Sequence, residues 1–208
     1  MAEITTLFWD IGGVLLTNAW DHIQRMRAVE HFGLEAEAFE TRHRQVVAAF
    51  ETHEITLQEY LWETVFYDPR PFEPAEFKRF MFAQSQACRK AMQLIGELSR
   101  TRRYTMASIN NESLELNLYR IRQFNLRDYL SVFFSSCFLG VRKPDRLIYC
   151  RALEMLQRTP AECILIDDRP QNLEAPRAMG MRTIHHRGST LLREELAANG
   201  IEVALAGA

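Results

Sequence analysis

Four places in the sequence carry side chains that could do chemistry together: Asp10 ahead of Gly12-Gly13, Ser108, Lys143 ahead of Pro144-Asp145, and the pair Asp167-Asp168. Each stands at or shortly after the end of a short apolar run. In an open parallel sheet, ligands bind in the crevice beyond the carboxyl ends of the strands, so these residues belong in one reading. Taken singly each has a bland role, since an aspartate caps a turn, a serine caps a helix and a surface lysine is solvated. Together they share one ionic logic. Three carboxylates in one crevice repel one another, a divalent cation that prefers oxygen ligands reconciles them, and a lysine and a hydroxyl hold an anionic ligand. Lys143 stands out further because Lys78, Lys90 and Lys143 are the only lysines among 25 basic residues.

The elements that must position these residues follow from hydrophobic patterning. Ile4, Leu7, Phe8 and Trp9 form a nearly continuous apolar run into a glycine turn, the pattern of a strand buried on both faces. Similar runs cover Tyr104 to Ser108, Val132 to Ser136, Cys163 to Ile166 and Met181 to His185. Helical patterns lie between them, with Ser113 and Asp145 as candidate caps. Alternation of strand and helix from about residue 86 onward predicts an α/β fold, a doubly wound parallel sheet of Rossmann-like form. Residues 17–85 break the alternation and carry helix signatures alone, so they are expected to form a small inserted helical cap on a core of residues 1–16 and 86–208. Within it Ile23, Met26 and Val29 share a face, as do Phe39, Val46 and Phe50. Thr56-Leu57-Gln58-Glu59 has the form of a capping box, and Pro74 suits a first helical turn.

Composition narrows the classes. With 208 residues, at ~150 per domain, there is room for one core and a modest insertion. A net charge of −2 leaves no basic footprint for nucleic acid, and 47 % apolar residues argue against disorder. Cys88, Cys137, Cys150 and Cys163 form no C-x-x-C pair, so reduced, mostly buried thiols are expected. No apolar run approaches the ~18 residues of a membrane span, and no secretion signal is visible, which gives a cytoplasmic expectation.

Quoted in order, the motifs resemble those of the haloacid dehalogenase-like hydrolases over nearly the whole chain. Phe8-Trp9-Asp10-Ile11-Gly12-Gly13-Val14 is similar to the first motif, Ala107-Ser108-Ile109-Asn110-Asn111 to the second, Gly140-Val141-Arg142-Lys143-Pro144-Asp145 to the third and Ile166-Asp167-Asp168-Arg169-Pro170-Gln171-Asn172 to the fourth. The insertion is similar to the α-helical cap that one class of the family carries between motifs one and two. The resemblance implies a hydrolase that transfers phosphate from a small-molecule phosphate ester to Asp10. It implies Mg²⁺ held by the Asp10 carboxylate, the Gly12 carbonyl and Asp168, with Asp167 beside or behind them. It also implies Ser108, Ile109, Asn110 and Lys143 at the substrate, with Ser108 donating to a phosphoryl oxygen and Lys143 offsetting negative charge. Asn172 stands where many relatives carry an acid and is expected to orient Lys143 or Asp168.

One position departs from the pattern. Most phosphatases of the family carry a second aspartate two residues after the nucleophile, as acid and base, and here that residue is Gly12. Losing a positioned acid/base typically costs ~10²–10⁴-fold in rate. Three readings follow: a phosphatase whose substrates leave easily, such as sugar 1-phosphates or acyl phosphates; a 2-haloacid dehalogenase, which needs no acid; and a weakly active or inactive binding or regulatory protein. Trp20, Asp21 and His22 are expected to line the substrate pocket. His185 and His186, adjacent on a strand, point to opposite faces and do not chelate one ion together, and His43 and His53 lack ligand spacing.

Overall fold

The computed structural model describes residues 2–202, so the last residues of the expected core stretch, 203–208, and Met1 lie outside the described residues. The strands are β1 (Thr6–Trp9), β2 (Thr105–Asn110), β3 (Val132–Ser135), β4 (Cys163–Asp167) and β5 (Arg182–His185). They pair in parallel in the order β3-β2-β1-β4-β5. Strand order reverses between β1 and β4, where an open parallel sheet forms its ligand crevice.

Helices α1 (His22–Phe32), α2 (Ala36–Glu51), α3 (Leu57–Thr64), α4 (Pro74–Ala83) and α5 (Arg89–Thr101) lie between β1 and β2. Helix α6 (Leu114–Gln123) follows β2, α7 (Ser136–Leu139) and α8 (Arg146–Leu156) follow β3, α9 (Glu174–Ala178) follows β4, and α10 (Ser189–Ala198) follows β5. The continuous apolar run of β1 is explained by burial on both faces. Leu7 and Trp9 join a cluster with Leu94 and Ile95 of α5 and Leu192 and Leu196 of α10. Phe8 points the other way, into a cluster with Ile148, Tyr149 and Ala152 of α8. The same alternation sends Ile164 and Ile166 of β4 to the first cluster and Leu165 to the second. Among the described residues no helix is long and apolar enough to cross a membrane. The four cysteines are free thiols, with Cys137 and Cys163 buried and Cys88 and Cys150 half-buried.

Helices α1 to α4 build a third cluster around Phe39, Phe50, Tyr60, Phe77 and Met81, joined by Leu116 of α6. Two segments of chain connect this unit to the sheet, and they run side by side. The Thr17 amide donates to Gln86 O at 2.8 Å, the Gln86 amide to Thr17 Oγ1 at 2.9 Å, and the Cys88 amide to Leu15 O at 2.9 Å. The Thr56–Glu59 capping box forms and Pro74 opens α4. The expected apolar face of α1 does not bury as a unit, because Ile23 is 60 % exposed. Gln24, Arg25 and Ala28 face inward instead. Arg25 is satisfied there by a forked pair to Glu40, Nε–Oε1 at 2.6 Å and Nη2–Oε2 at 3.0 Å, and by Trp20 O at 2.7 Å. A guanidinium so anchored outweighs the small preference that an exposed isoleucine loses.

His43 is a buried titratable group of this helical unit, its Nδ1 2.8 Å from the Tyr60 hydroxyl. Burial pushes the imidazole down to about 4, with Arg25 adding to the effect and Glu40 opposing it. The neutral ring is therefore the folded form, and its stabilisation is complete above the unfolded value near 6.5 and is lost as pH falls toward 4. Linkage puts the loss from this group at about 2 kcal/mol between pH 7.5 and pH 5. Denaturant melts at both values are expected to show that much less pH dependence in His43→Gln than in the parent protein.

Candidate active site

The central strand delivers Asp10. The Asp10 amide donates to Ile166 O at 2.9 Å, which fixes the residue directly beyond β1 beside the end of β4, and the Asp10 Oδ1 accepts from the Ile11 amide at 2.7 Å. Lys143 reaches the same point from the loop after α7. Its Nζ lies 2.9 Å from Asp10 Oδ2 and 2.6 Å from Asp167 Oδ2, and donates to Ile109 O at 2.9 Å. Three protons meet three acceptors, so the buried ammonium is saturated. Asn111 clamps the lysine's main chain from both sides, accepting from Lys143 N at 2.8 Å and donating to Lys143 O at 2.9 Å.

Asp167 is fully occupied as well. Asn172 Nδ2 donates to its two oxygens at 3.0 and 3.1 Å, and the Arg169 amide donates to Oδ1 at 2.8 Å. Asn172 thus orients Asp167, not Lys143 or Asp168, because its amide lies within reach of that carboxylate alone among the site's charged groups. Asp168 differs. Asn18 Nδ2 donates to its Oδ2 at 3.2 Å, while Oδ1 is buried with no hydrogen-bond partner. An orphaned, buried carboxylate oxygen is costly unless a cation meets it. Asp10, Asp167 and Asp168 each place an oxygen within 4.8 Å of the others, and this is the one such cluster among the described residues. An all-oxygen donor set suits a hard divalent cation such as Mg²⁺.

Burial pushes the Asp10 carboxyl up to about 7; Lys143 pulls it down, while Asp167 and Asp168 push it further up. Burial acts to lower Lys143, but the two carboxylates overcome it and hold the ammonium above its usual range. At Gly12 and Gly13, in the turn that follows Asp10, a side chain would meet its neighbours. Gly13 has φ +77°, and a Cβ there would run into the Asp168 carboxylate; a Cβ on Gly12 would come within 2.9 Å of Asn18 Oδ1.

A polar cavity of about 480 Å³ opens above the cluster. Asp10, Gly12 and Lys143 form its floor, Asn111, Arg142 and Arg169 line the core side, and Trp20, His22, Arg25, His43 and Glu51 line the helical side. The expected trio Trp20, Asp21 and His22 lies on this wall, where Asp21 also caps α1 through its carboxylate. Ile109 takes part through its carbonyl. Ser108 does not reach the cavity. Strand β2 runs two residues beyond it, so Ser108 pairs with Trp9 inside the sheet, is fully buried, and donates to Asn110 Oδ1 at 3.2 Å. Asn110 is held behind the site by Ser135 at 2.9 Å and Asn117 at 3.1 Å. His185 Nε2 lies 3.1 Å from Asp168 O and braces that backbone.

Residues absent from the expected set are Asn18, Asn111 and Glu51. Asn111 lies inside the quoted second motif, and its neighbour's place at the strand end was the available signal. Asn18 and Glu51 have no motif around them, since they reach the site only through the path of the chain into α1 and the end of α2.

Three comparisons bear on this geometry. A family model for haloacid dehalogenase-like hydrolases matches residues 4–180. Flavin mononucleotide hydrolase 1 of Arabidopsis thaliana is 29 % identical over 166 residues, which cover 80 % of this chain and 66 % of that protein, slightly under two thirds of its length. A HAD family enzyme of Bacteroides thetaiotaomicron superposes with a TM-score of 0.77 at 19 % identity, covering 92 % of this chain and all of that one. A structure of that enzyme with magnesium and inorganic phosphate superposes at 0.70 and 20 % identity, covering 87 % of this chain and 93 % of the other.

Removing the lysine head tests how the cluster is held together. Lys143→Met leaves Asp10 and Asp167 buried without their shared counter-charge, a change that typically costs about 3–5 kcal/mol. Urea unfolding in EDTA is expected to show a drop of that order, against a small effect for the exposed Lys78→Met or Lys90→Met.

Proposed function

The chain belongs to the haloacid dehalogenase-like hydrolases, and from that premise we propose that it removes phosphate from a small metabolite through a phosphoenzyme on Asp10. The observation that carries this reading is the buried pair of Asp10 and Lys143 on the floor of the cavity, beside the unpartnered oxygen of Asp168. The name of the Arabidopsis relative points to hydrolysis of a phosphate ester, and the Bacteroides enzyme was crystallised with magnesium and phosphate. Displacement of halide from carbon needs no cation, and a row of three carboxylates repels a carboxylate substrate, so the dehalogenase reading leaves this cluster without a purpose. A binding or regulatory protein equally has no use for such a costly buried charge set.

In the proposed reaction Asp10 attacks phosphorus in line and is displaced by water in a second step. Lys143 holds Asp10 in place and offsets the charge that gathers on the transferring group. Asn111 fixes the lysine's backbone, and Asn172 fixes the carboxylate that orients its head. Asp10, Asp168 and the Gly12 carbonyl would hold Mg²⁺, with the fully occupied Asp167 behind them. When bound, the ion neutralises the carboxylates and polarises the phosphoryl oxygens. Ser108 acts from behind the site, through Asn110. Residues 17–85 serve as a cap over the core formed by 1–16 and from 86 onward, excluding water and bulky substrates.

A cavity of about 480 Å³ suits a small molecule. With Gly12 in the usual acid position, the favoured substrates are those whose leaving group needs little protonation, namely sugar 1-phosphates and acyl phosphates. Phosphate release is expected to require Mg²⁺, to disappear in EDTA and in Asp10→Asn, and to be faster for these classes than for sugar 6-phosphates. Equal rates across the panel would discard the leaving-group preference; metal-independent halide release from a 2-haloacid, with no phosphate release, would overturn the phosphatase.

A further inference from the structure

Gly12 supplies no proton to a leaving group, yet one acidic side chain on the helical wall of the cavity has an oxygen that no hydrogen bond engages among the described residues. Resting on the phosphatase reading, we propose that Glu51, the last residue of α2, is the general acid and base of this enzyme, brought to the phosphate from the helical unit rather than from the nucleophile loop.

The placement is built, not incidental. Glu51 lines the same cavity as Asp10 and Lys143. Its backbone carbonyl accepts from Ser136 Oγ at 2.6 Å, and that hydroxyl in turn accepts from the Glu112 amide at 3.0 Å, so the end of α2 is pinned to the core at this residue. Arg142 Nε pairs with the buried Oε2 at 2.9 Å, while Oε1 takes part in no hydrogen bond among the described residues. The guanidinium engages one oxygen and holds the carboxyl group in place, which leaves Oε1 to carry a proton. Burial raises Glu51 above its usual range, while Arg142, Arg169, Lys143 and Arg25 pull it back.

Other groups of the cavity are held elsewhere: Asp21 caps α1 through its carboxylate, and the exposed His22 ring lies 3.6 Å from Glu40. Glu112 accepts from Arg120 at 2.7 Å through one oxygen and from the Ser113 amide at 3.2 Å through the other. His43 is tied to Tyr60 and, pushed down to about 4, has no proton to give near neutral pH.

The steps balance as follows. Asp10 Oδ attacks phosphorus, the bond from phosphorus to the leaving oxygen breaks, and protonated Glu51 gives that oxygen its proton, leaving an alcohol, the aspartyl phosphate and a Glu51 carboxylate. Water then attacks the aspartyl phosphate, Glu51 takes one of its protons, and the bond from phosphorus to Asp10 breaks. Free phosphate, the Asp10 carboxylate and protonated Glu51 remain.

The test compares leaving groups in Glu51→Gln with Mg²⁺ present. For a sugar 6-phosphate, whose leaving alcohol needs the proton most, kcat/KM, which reads formation of the phosphoenzyme, is expected to fall ~10²–10⁴-fold, and for a sugar 1-phosphate by less. For p-nitrophenyl phosphate, whose leaving group needs no proton, kcat/KM is expected to change by less than ~10-fold, with a burst of nitrophenol and an accumulating phosphoenzyme because the second step has lost its base. Glu51→Asp should restore part of the sugar phosphate activity, and it carries the same comparison if the glutamine variant melts below the assay temperature. Equal losses on all substrates would assign Glu51 only to docking α2 on the core, and no loss would remove it from the reaction. Either result, with the parent protein active and Asp10→Asn dead, overturns the role of Glu51 alone. A parent protein that releases no phosphate from any substrate overturns the phosphatase reading and this role with it.

Discussion

The Lys143 ammonium, buried between Asp10 and Asp167, is the interaction around which the strand ends are arranged. Charges taken out of water are tolerated only where geometry and hydrogen bonding leave nothing unpaired. That demand reaches outward through the fold: Ile109 O takes the third lysine proton, Asn111 holds the lysine's backbone, and Asn172 and the Arg169 amide fill Asp167. The adjacency of β1 to both β2 and β4 brings these groups within reach. Saturation stops at Asp168 Oδ1, on the carboxylate that faces Asp10 from beyond β4.

The glycine turn beyond Asp10 answers a spatial requirement as much as a conformational one. Gly13 lets the chain turn against the Asp168 carboxylate, and the space beside Gly12 belongs to Asn18, whose amide steadies Asp168. Arg120 closes the same region by joining Glu112 to Thr17 O at 2.6 Å. The chain just after β2 is therefore tied to the segment that leads from Asp10 toward α1. In the proposed reaction the acid absent from the turn comes from across the cavity, where α2 ends.

Much of this was legible in the sequence, and the physical reasons separate what was from what was not. Buried parallel strands read as continuous apolar runs, so β1 and β4 and the residues at or just beyond their ends, Asp10, Asp167 and Asp168, stand out without help. Lys143 was visible through its rarity among arginines and its place before Pro144-Asp145. Strand ends are less well marked, and the two extra residues of β2 moved Ser108 from the crevice into the sheet. Helix faces within residues 17–85 were harder still. Ile23 suggested one inward face of α1, but the Arg25–Glu40 fork selected another, and a pairing between distant side chains leaves no periodic trace. Glu51 sits at the end of an amphipathic helix whose pattern describes its packing side and is silent about its tip.

The side-by-side crossing at Thr17 and Gln86 has a consequence for what this architecture can become. The chain departs from the sheet and returns to it at hydrogen-bonded neighbours, so the two ends of the intervening segment are already closed into a loop by the sheet side. The entropy of closing a loop rises only slowly with its length. Strand register in the core is thus insulated from whatever lies between the two crossing points, and that segment is free to lengthen, shorten or be exchanged for another without displacing Asp10 from Lys143. Selectivity, and with it the source of the proton, can drift in one part of the molecule while Asp10, Lys143 and Asp167 keep their places in the other.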